Sequence, residues 1–206
     1  MPRLALLIVV VAACSRTADP PSPTGSATAA RPQSTSATDV DHIDVLARHN
    51  DRENPTDRAN DPVVVHITKY TVTKAHFDPA HLDGGAATIE LDLTSIESAS
   101  AERDTDLQAP EWLDTGRLAT ATVDVANVAQ HGAHYTADAA VSFHGVKQTY
   151  PVTFDVLSTT ADSVRIRGEQ TFSRLDFAIG TDPEQDHEQR VDTGLTLRFV
   201  LTIKQI

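Results

Sequence analysis

From Ala87 onward, apolar residues step along the chain at every second position. Ala87, Ile89, Leu91 and Leu93 alternate with Thr88, Glu90, Asp92 and Thr94. The beat returns in Tyr135, Ala137, Ala139, Val141 and Phe143, then in Tyr150, Val152, Phe154 and Val156, and then in Val164 and Ile166. It closes the chain in Leu195, Leu197, Phe199, Leu201 and Ile203. Strand side chains point to opposite faces with period two, so each run has one apolar and one polar face. The pattern predicts eight strands, at 42–48, 63–73, 87–95, 118–125, 135–144, 150–157, 163–172 and 195–204. Within 63–73 the apolar parity switches from Val63, Val65 and Ile67 to Tyr70 and Val72, which predicts a bulge near Thr68 and Lys69.

Asp83-Gly84-Gly85, His131-Gly132 and His144-Gly145 read as turns. Two connections are too long for hairpins. The first, 97–116, predicts a helical turn or two starting at Ser98 or Ser100; the second, 173–193, is polar and acidic in its later half. Long loops in compact domains are functional or mobile, so either connection could act as a lid. No segment has the pattern of a long helix. The expected class is therefore all-β: an eight-stranded antiparallel barrel with a short helix in a long connection. Eight strands make a barrel just wide enough for side chains or one slim ligand.

The N-terminal segment has another character. Arg3 precedes the stretch 4–13, which holds no polar residue. That is far below the roughly 20 residues of a membrane-spanning helix, so 1–13 is expected to be a signal peptide. Val11-Ala12-Ala13-Cys14 resembles a lipobox, and Cys14, the sole cysteine, is the expected lipidation site. Residues 14–39 are almost only Ser, Thr, Ala and Pro, which cannot bury enough apolar surface to fold. They read as a flexible tether of about 25–30 Å, leaving 40–206 as one barrel domain. Ser15 after the cysteine favours the outer membrane, facing the periplasm, if the cell is Gram-negative.

The formal charge of −12 becomes −13 when the leader takes away Arg3. That argues against nucleic acid and against electrostatic adhesion to anionic lipid, so attachment to the membrane falls to the N-terminal lipid anchor.

Several motifs carry a family resemblance. Leu91-Asp92-Leu93-Thr94-Ser95-Ile96 is followed by Arg103-Asp104, Leu107, Trp112-Leu113-Asp114 and Thr120-Ala121-Thr122. Farther on stand His144-Gly145-Val146-Lys147 with Pro151-Val152-Thr153-Phe154, and then Phe172-Ser173-Arg174-Leu175-Asp176-Phe177-Ala178-Ile179-Gly180. Together, over roughly 41–206, these are similar to the landmarks of YceI-like proteins. The resemblance implies a lipocalin-like barrel of eight antiparallel strands in a secreted or periplasmic protein. Some members hold a polyisoprenoid or another long-chain amphiphile. Barrels in the family often pair, which leaves room for a homodimer.

An apolar lipid is accordingly the expected ligand, with no other cofactor. Burying one methylene contributes about 0.8 kcal/mol, so a partly enclosed chain binds without a charged anchor. The expected cavity lining is Ile89, Leu91, Val141, Phe143, Val152, Phe154, Ile166, Leu197 and Phe199. A barrel packed solid by these same side chains needs the same alternation, so sequence leaves both open. Arg103 and Arg174 are candidates either for a polar or phosphate headgroup, which suits a guanidinium fork, or for fastening the long connections. The nine histidines offer no i, i+4 pair on a helix and no second cysteine, so no metal site is expected. Nor is there a Gly-x-Ser-x-Gly or phosphate-binding glycine loop, and an enzyme is not expected. The rival to a lipid carrier is an envelope interaction or stress module with a solid barrel; a sensor using the loop histidines is a third reading.

Overall fold

Each apolar run does become a strand with one face turned inward. The computed structural model describes residues 40–49, 62–186 and 191–206. The chain divides into units 1–35 and 36–206, and every described residue belongs to the second. The leader, Cys14 and the 14–39 tether lie outside the described residues.

Ten strands form one curled antiparallel sheet. They are β1 (His42–Ala47), β2 (Val63–Ile67), β3 (Tyr70–Asp78), β4 (His81–Asp92), β5 (Ile96–Glu97), β6 (Thr120–His131), β7 (His134–Phe143), β8 (Val146–Thr159), β9 (Ser163–Ser173) and β10 (Gly194–Lys204). Their order is β3-β4-β6-β7-β8-β9-β10-β1-β2-β5. The one α-helix among the described residues, α1 (Ala101–Gln108), is capped by Ser100, whose hydroxyl accepts from the Arg103 N–H at 3.4 Å.

The excess over eight has a local cause. Two long strands bend together, so β2 and β3 continue one path and β4 and β5 another. At the bend Thr68 donates its N–H and its hydroxyl to the Ser95 carbonyl at 3.2 and 2.8 Å. Lys69 N–H reaches Ser95 Oγ at 3.0 Å. Opposite, Leu93–Ser95 forms a 3₁₀ turn capped by the Asp92 carboxylate. One path thus pairs with β1 through β2 and with β4 through β3, which curls the sheet back toward its start.

Asp83-Gly84-Gly85 is not a turn. The chain reverses at Pro79-Ala80, with Asp78 paired to His81 and its carboxylate accepting from Ala80 N–H at 2.9 Å. Gly84 (φ +74°) and Gly85 instead form a bulge in β4. A Cβ on Gly85 would lie 2.8 Å from the Leu82 carbonyl and 3.1 Å from Phe77 Cβ. The two-residue turn at His144-Gly145 is as expected, both residues having positive φ.

The line where β3 approaches β10 and β1 is closed by side chains more than by a ladder. The Asp41 carboxylate accepts from Tyr70 Oη at 3.0 Å, Arg165 Nε at 2.9 Å and Thr202 N–H at 2.7 Å. Gln205 Nε2 donates to the Phe77 carbonyl and Ile206 N–H to the Ala75 carbonyl. Burial would raise the Asp41 carboxyl, but these hydrogen bonds outweigh it and hold it below its ordinary 3.8. Burial, then the bond to Asp41, pushes the Tyr70 phenol up to about 12.

Candidate functional site: an apolar cavity with one polar end

The inward faces do not fill the space they surround. They enclose a cavity of about 450 Å³, within the roughly 300–1,000 Å³ typical of small-molecule sites. All nine expected residues line it: Ile89 and Leu91 from β4, Val141 and Phe143 from β7, Val152 and Phe154 from β8, Ile166 from β9, Leu197 and Phe199 from β10. Beside them stand Ile43 and Val45 of β1, Val63 and Val65 of β2, and Ala121, Val123 and Val125 of β6.

Cross-strand register builds the wall. Tyr135 pairs with Phe154, Phe154 with Gly168, Gly168 with Phe199 and Phe199 with Ile43. Tyr135 stacks on Phe154 at 5.7 Å. The Phe199 ring lies over Gly168, where a Cβ would come within 2.5 Å of Phe199 Cζ and 2.8 Å of the Thr153 carbonyl. Glycine is what lets that ring lie against the wall.

The two ends differ. Phe77, Leu82, Val128, Val164 and Ile203 line the end where β3 turns into β4. Polar lining residues gather at the other end, where β1 finishes and β10 begins: Arg48, His49, Arg103, Asp106, Gln170 and Arg174. Both long connections cover this end. From α1 and the residues after it come Leu107, Trp112 and Leu113, and from the second connection Ile179 and Val191. Gly180 N–H donates to the Glu111 carbonyl at 3.3 Å, tying one connection to the other.

Arg174 holds this cover together. Its side chain is fully buried and donates from Nε to the Asp192 carbonyl (3.1 Å), from Nη1 to Ile179 (2.7 Å), and from Nη2 to Thr181 (2.7 Å) and Val191 (2.9 Å). The guanidinium also stands 5.8 Å from the Trp112 ring centre. Burial lowers its pKa, and the charges of Asp182 and Asp192 oppose that shift. Beneath it, the 3₁₀ turn Arg174–Phe177 buries Phe177 against Phe143, Tyr150 and Phe172, with centroids 5.5–6.2 Å apart. Tyr150 Oη donates to Asp176 Oδ2 at 3.0 Å, and burial together with that bond pushes its phenol up to about 12. His144 Nδ1 donates to the Phe177 carbonyl at 3.0 Å, which places the proton on that nitrogen.

Arg103 is placed otherwise. It is half-buried on α1, and one Nη1 bond runs to the Ser98 carbonyl at 3.0 Å. Neither arginine pairs with its neighbouring aspartate. Asp104 accepts from Ser98 N–H at 2.8 Å, and Asp176 serves Tyr150. The two arginines therefore part company: Arg174 is committed to backbone carbonyls, while Arg103 faces the cavity.

A model of the YceI-like domain matches residues 37–203. The chain belongs to the YceI-like family. No curated protein matches it. Among solved structures, it is similar to Burkholderia cenocepacia BcnA at 20% identity and a TM-score of 0.64, covering 79% of this chain and 96% of that one. The Campylobacter jejuni YceI protein matches at 12% identity and a TM-score of 0.61, over 71% and 87% of the two chains. A polyisoprenoid-binding domain from Saccharophagus degradans, implicated in plant cell wall breakdown, matches at 12% identity and a TM-score of 0.61, over 81% and 94%. At these identities the likeness is one of fold.

In this YceI-like domain the described histidines are dispersed. His134 pairs with Asp155, which also takes Arg167, and His66 pairs with Asp44. Among the described residues no three of His, Cys, Asp and Glu come together as a metal would need. Sequence reasoning missed Arg48, Asp106 and Trp112 at the polar end. A lone tryptophan in a long connection was the signal available for the last.

Proposed function

We propose that this YceI-like protein is a cell-envelope lipoprotein that carries an apolar amphiphile, a polyisoprenoid or similar long-chain lipid, inside its barrel. The observation that carries the reading is the cavity, a wall of aliphatic and aromatic side chains open enough to take a chain. Each methylene moved from water to such a wall contributes about 0.8 kcal/mol, so a long chain binds without a charged partner. The Saccharophagus degradans domain of like fold is described as polyisoprenoid-binding. The sequence of 1–39 supports the rest: a signal peptide, lipidation at Cys14 and a tether keep the carrier within reach of a membrane, the outer one in a Gram-negative cell. The mechanism is reversible sequestration with no covalent chemistry. The interaction-module alternative assumed a barrel packed solid by these same side chains, and the cavity favours the carrier over it.

The test is mass spectrometry of organic extracts of the protein purified gently from its host. A prenyl or long-chain lipid in near-equimolar amount is the expected result. A clean extract, with no uptake of offered isoprenoids, would refute the carrier.

A further inference from the structure

The cavity is shut at one end. Where β3 turns into β4 it is lined by Phe77, Leu82, Val164 and Ile203, all of them buried. The Gln205 side chain and the Ile206 N–H close the seam there, on the Phe77 and Ala75 carbonyls. A tail that enters at the polar end therefore meets a fixed stop, and the walls set how much of it they cover.

Two measures of that length agree. β10 runs the whole depth of the cavity, lining it from Leu195 at the polar end to Ile203 at the closed one. Eight residue steps of about 3.4 Å make about 27 Å of strand, and a barrel tilt of about 35–45° reduces this to a depth of about 20 Å. An extended hydrocarbon chain advances about 1.3 Å per carbon, from bonds of about 1.5 Å at about 111°, so about 16 carbons reach the stop. Volume gives a second count. An apolar protein cavity of about 150 Å³ takes one benzene, or about 25 Å³ per carbon, so 450 Å³ takes about 18 carbons. The width follows from the same figures. Spread over the depth, the volume leaves a cross-section of about 22 Å², against about 19 Å² for one extended chain. There is room for one tail and not for two.

We propose that the cargo is a single-tailed amphiphile with about 15–20 tail carbons, a fatty chain of that length or three to four isoprene units, held one per barrel. This rests on the carrier reading and narrows it. Two-tailed phospholipids are too wide, and prenyl chains of about 40 carbons leave half their length outside the walls. The side chains of the closed end, Phe77, Leu82 and Val128, set the limit.

The test places the delipidated full chain in digitonin micelles that hold dioleoylphosphatidylcholine and saturated 1-alkanols of about 10–24 carbons at equal mole fractions. Native mass spectrometry then counts which lipid stays on the protein. Every tail leaves one apolar environment for another, so its hydration cancels and the profile reads fit. The expected result is one alkanol per protein, an optimum near 16–18 carbons and no phosphatidylcholine. Beyond the optimum each added carbon exposes a methylene that the micelle would have covered, a loss of about fourfold. Val128→Phe adds about four carbons at the closed end from a half-buried position, and should shorten the optimum by about as many. Occupancy still rising at 24 carbons, bound phosphatidylcholine, or an optimum unmoved in folded Val128→Phe would overturn this inference and leave the carrier standing. If that variant does not fold, the wild-type profile alone decides. No uptake of any alkanol or of the phospholipid would overturn both.

Discussion

Replacing Arg174 by leucine measures how firmly the cover of the cavity is fastened. The guanidinium makes four hydrogen bonds of 2.7–3.1 Å from a fully buried position. A hydrogen bond to a charged group contributes about 1.5–3 kcal/mol, but leucine also removes the desolvation of a cation, so the four do not simply add. What remains is a set of carbonyls without donors. Thr181 is exposed and regains water, whereas Ile179 is buried and does not. Leaving a buried acceptor without its donor costs about 1–3 kcal/mol, and with the Ile179 carbonyl and the half-buried Val191 and Asp192 carbonyls losing this donor together the site totals about 3–5 kcal/mol. For a domain of this size that corresponds to a fall in Tm of about 6–20 °C. Arg174→Lys should lose about 2 kcal/mol, because one ammonium cannot span four carbonyls set around a planar fork. Urea unfolding at equilibrium gives the values. Hydrogen exchange locates the loss: amides at 178–180 should exchange faster, while the β6–β7 ladder follows global stability. A cost below about 1 kcal/mol for Arg174→Leu, with unchanged exchange at 178–180, would refute the reasoning.

Gly168→Ala forces the Phe199 ring off the wall and into the cavity, because a Cβ there would lie 2.5 Å from Phe199 Cζ. A loss of about 1–3 kcal/mol in thermal melts and reduced lipid uptake should follow together. Asp41→Asn weakens the closure between β3 and β10. The carboxyl is held below its ordinary 3.8, so its stabilisation is present above that pH and lost as pH falls through the lower folded value. The stability gap between wild type and variant should therefore be full at pH 6 and close in strong acid; a gap independent of pH would count against an ionic role. Tyr70 and Tyr150, both pushed up to about 12, should resist ionisation in an ultraviolet titration. Because their pKa values are raised on folding, their contribution holds below pH ~10 and disappears between ~10 and 12. Phenolate absorbance from both at pH 10.5 in the folded protein would contradict the burial described.

Period-two alternation exposed the strands and the cavity wall because one face of nearly every strand is buried, and a slip of one residue would reverse it. The parity switch between Ile67 and Tyr70 likewise marked the bend in one strand. Its counterpart at Leu93–Ser95 left no trace, since Leu91 and Leu93 keep alternating straight through a 3₁₀ turn that Asp92 caps. Gly84-Gly85 misled because glycine pairs serve bulges as well as turns, and Pro79 had already reversed the chain. What joins residues distant in sequence was illegible. Asp41 and Arg165 are 124 positions apart, and no local pattern foretells that they close the barrel. Arg174 stood out through its motif, but its four acceptors are backbone carbonyls, which carry no signature in a sequence.

The cavity itself sets a thermodynamic demand on the fold. Empty space in a protein core costs about 24 cal/mol per Å³ in mutational series. At that rate 450 Å³ corresponds to on the order of 10 kcal/mol, an upper bound for a site that water can enter and as large as the whole stability of many domains. The ring of hydrogen-bonded strands resists collapse, because filling the void from the walls would break ladders that run the length of each strand. A lipid that occupies the space acts as the missing core. It stabilises the folded state by RT ln(1 + [L]/Kd), about 4 kcal/mol at a thousandfold excess over Kd. The delipidated protein should therefore melt about 8–16 °C below the saturated one, and the shift should grow with the length of the offered chain until the cavity is full. A melting temperature indifferent to lipid, measured on protein shown by extraction to have been emptied, would mean that the barrel holds itself open for some other purpose.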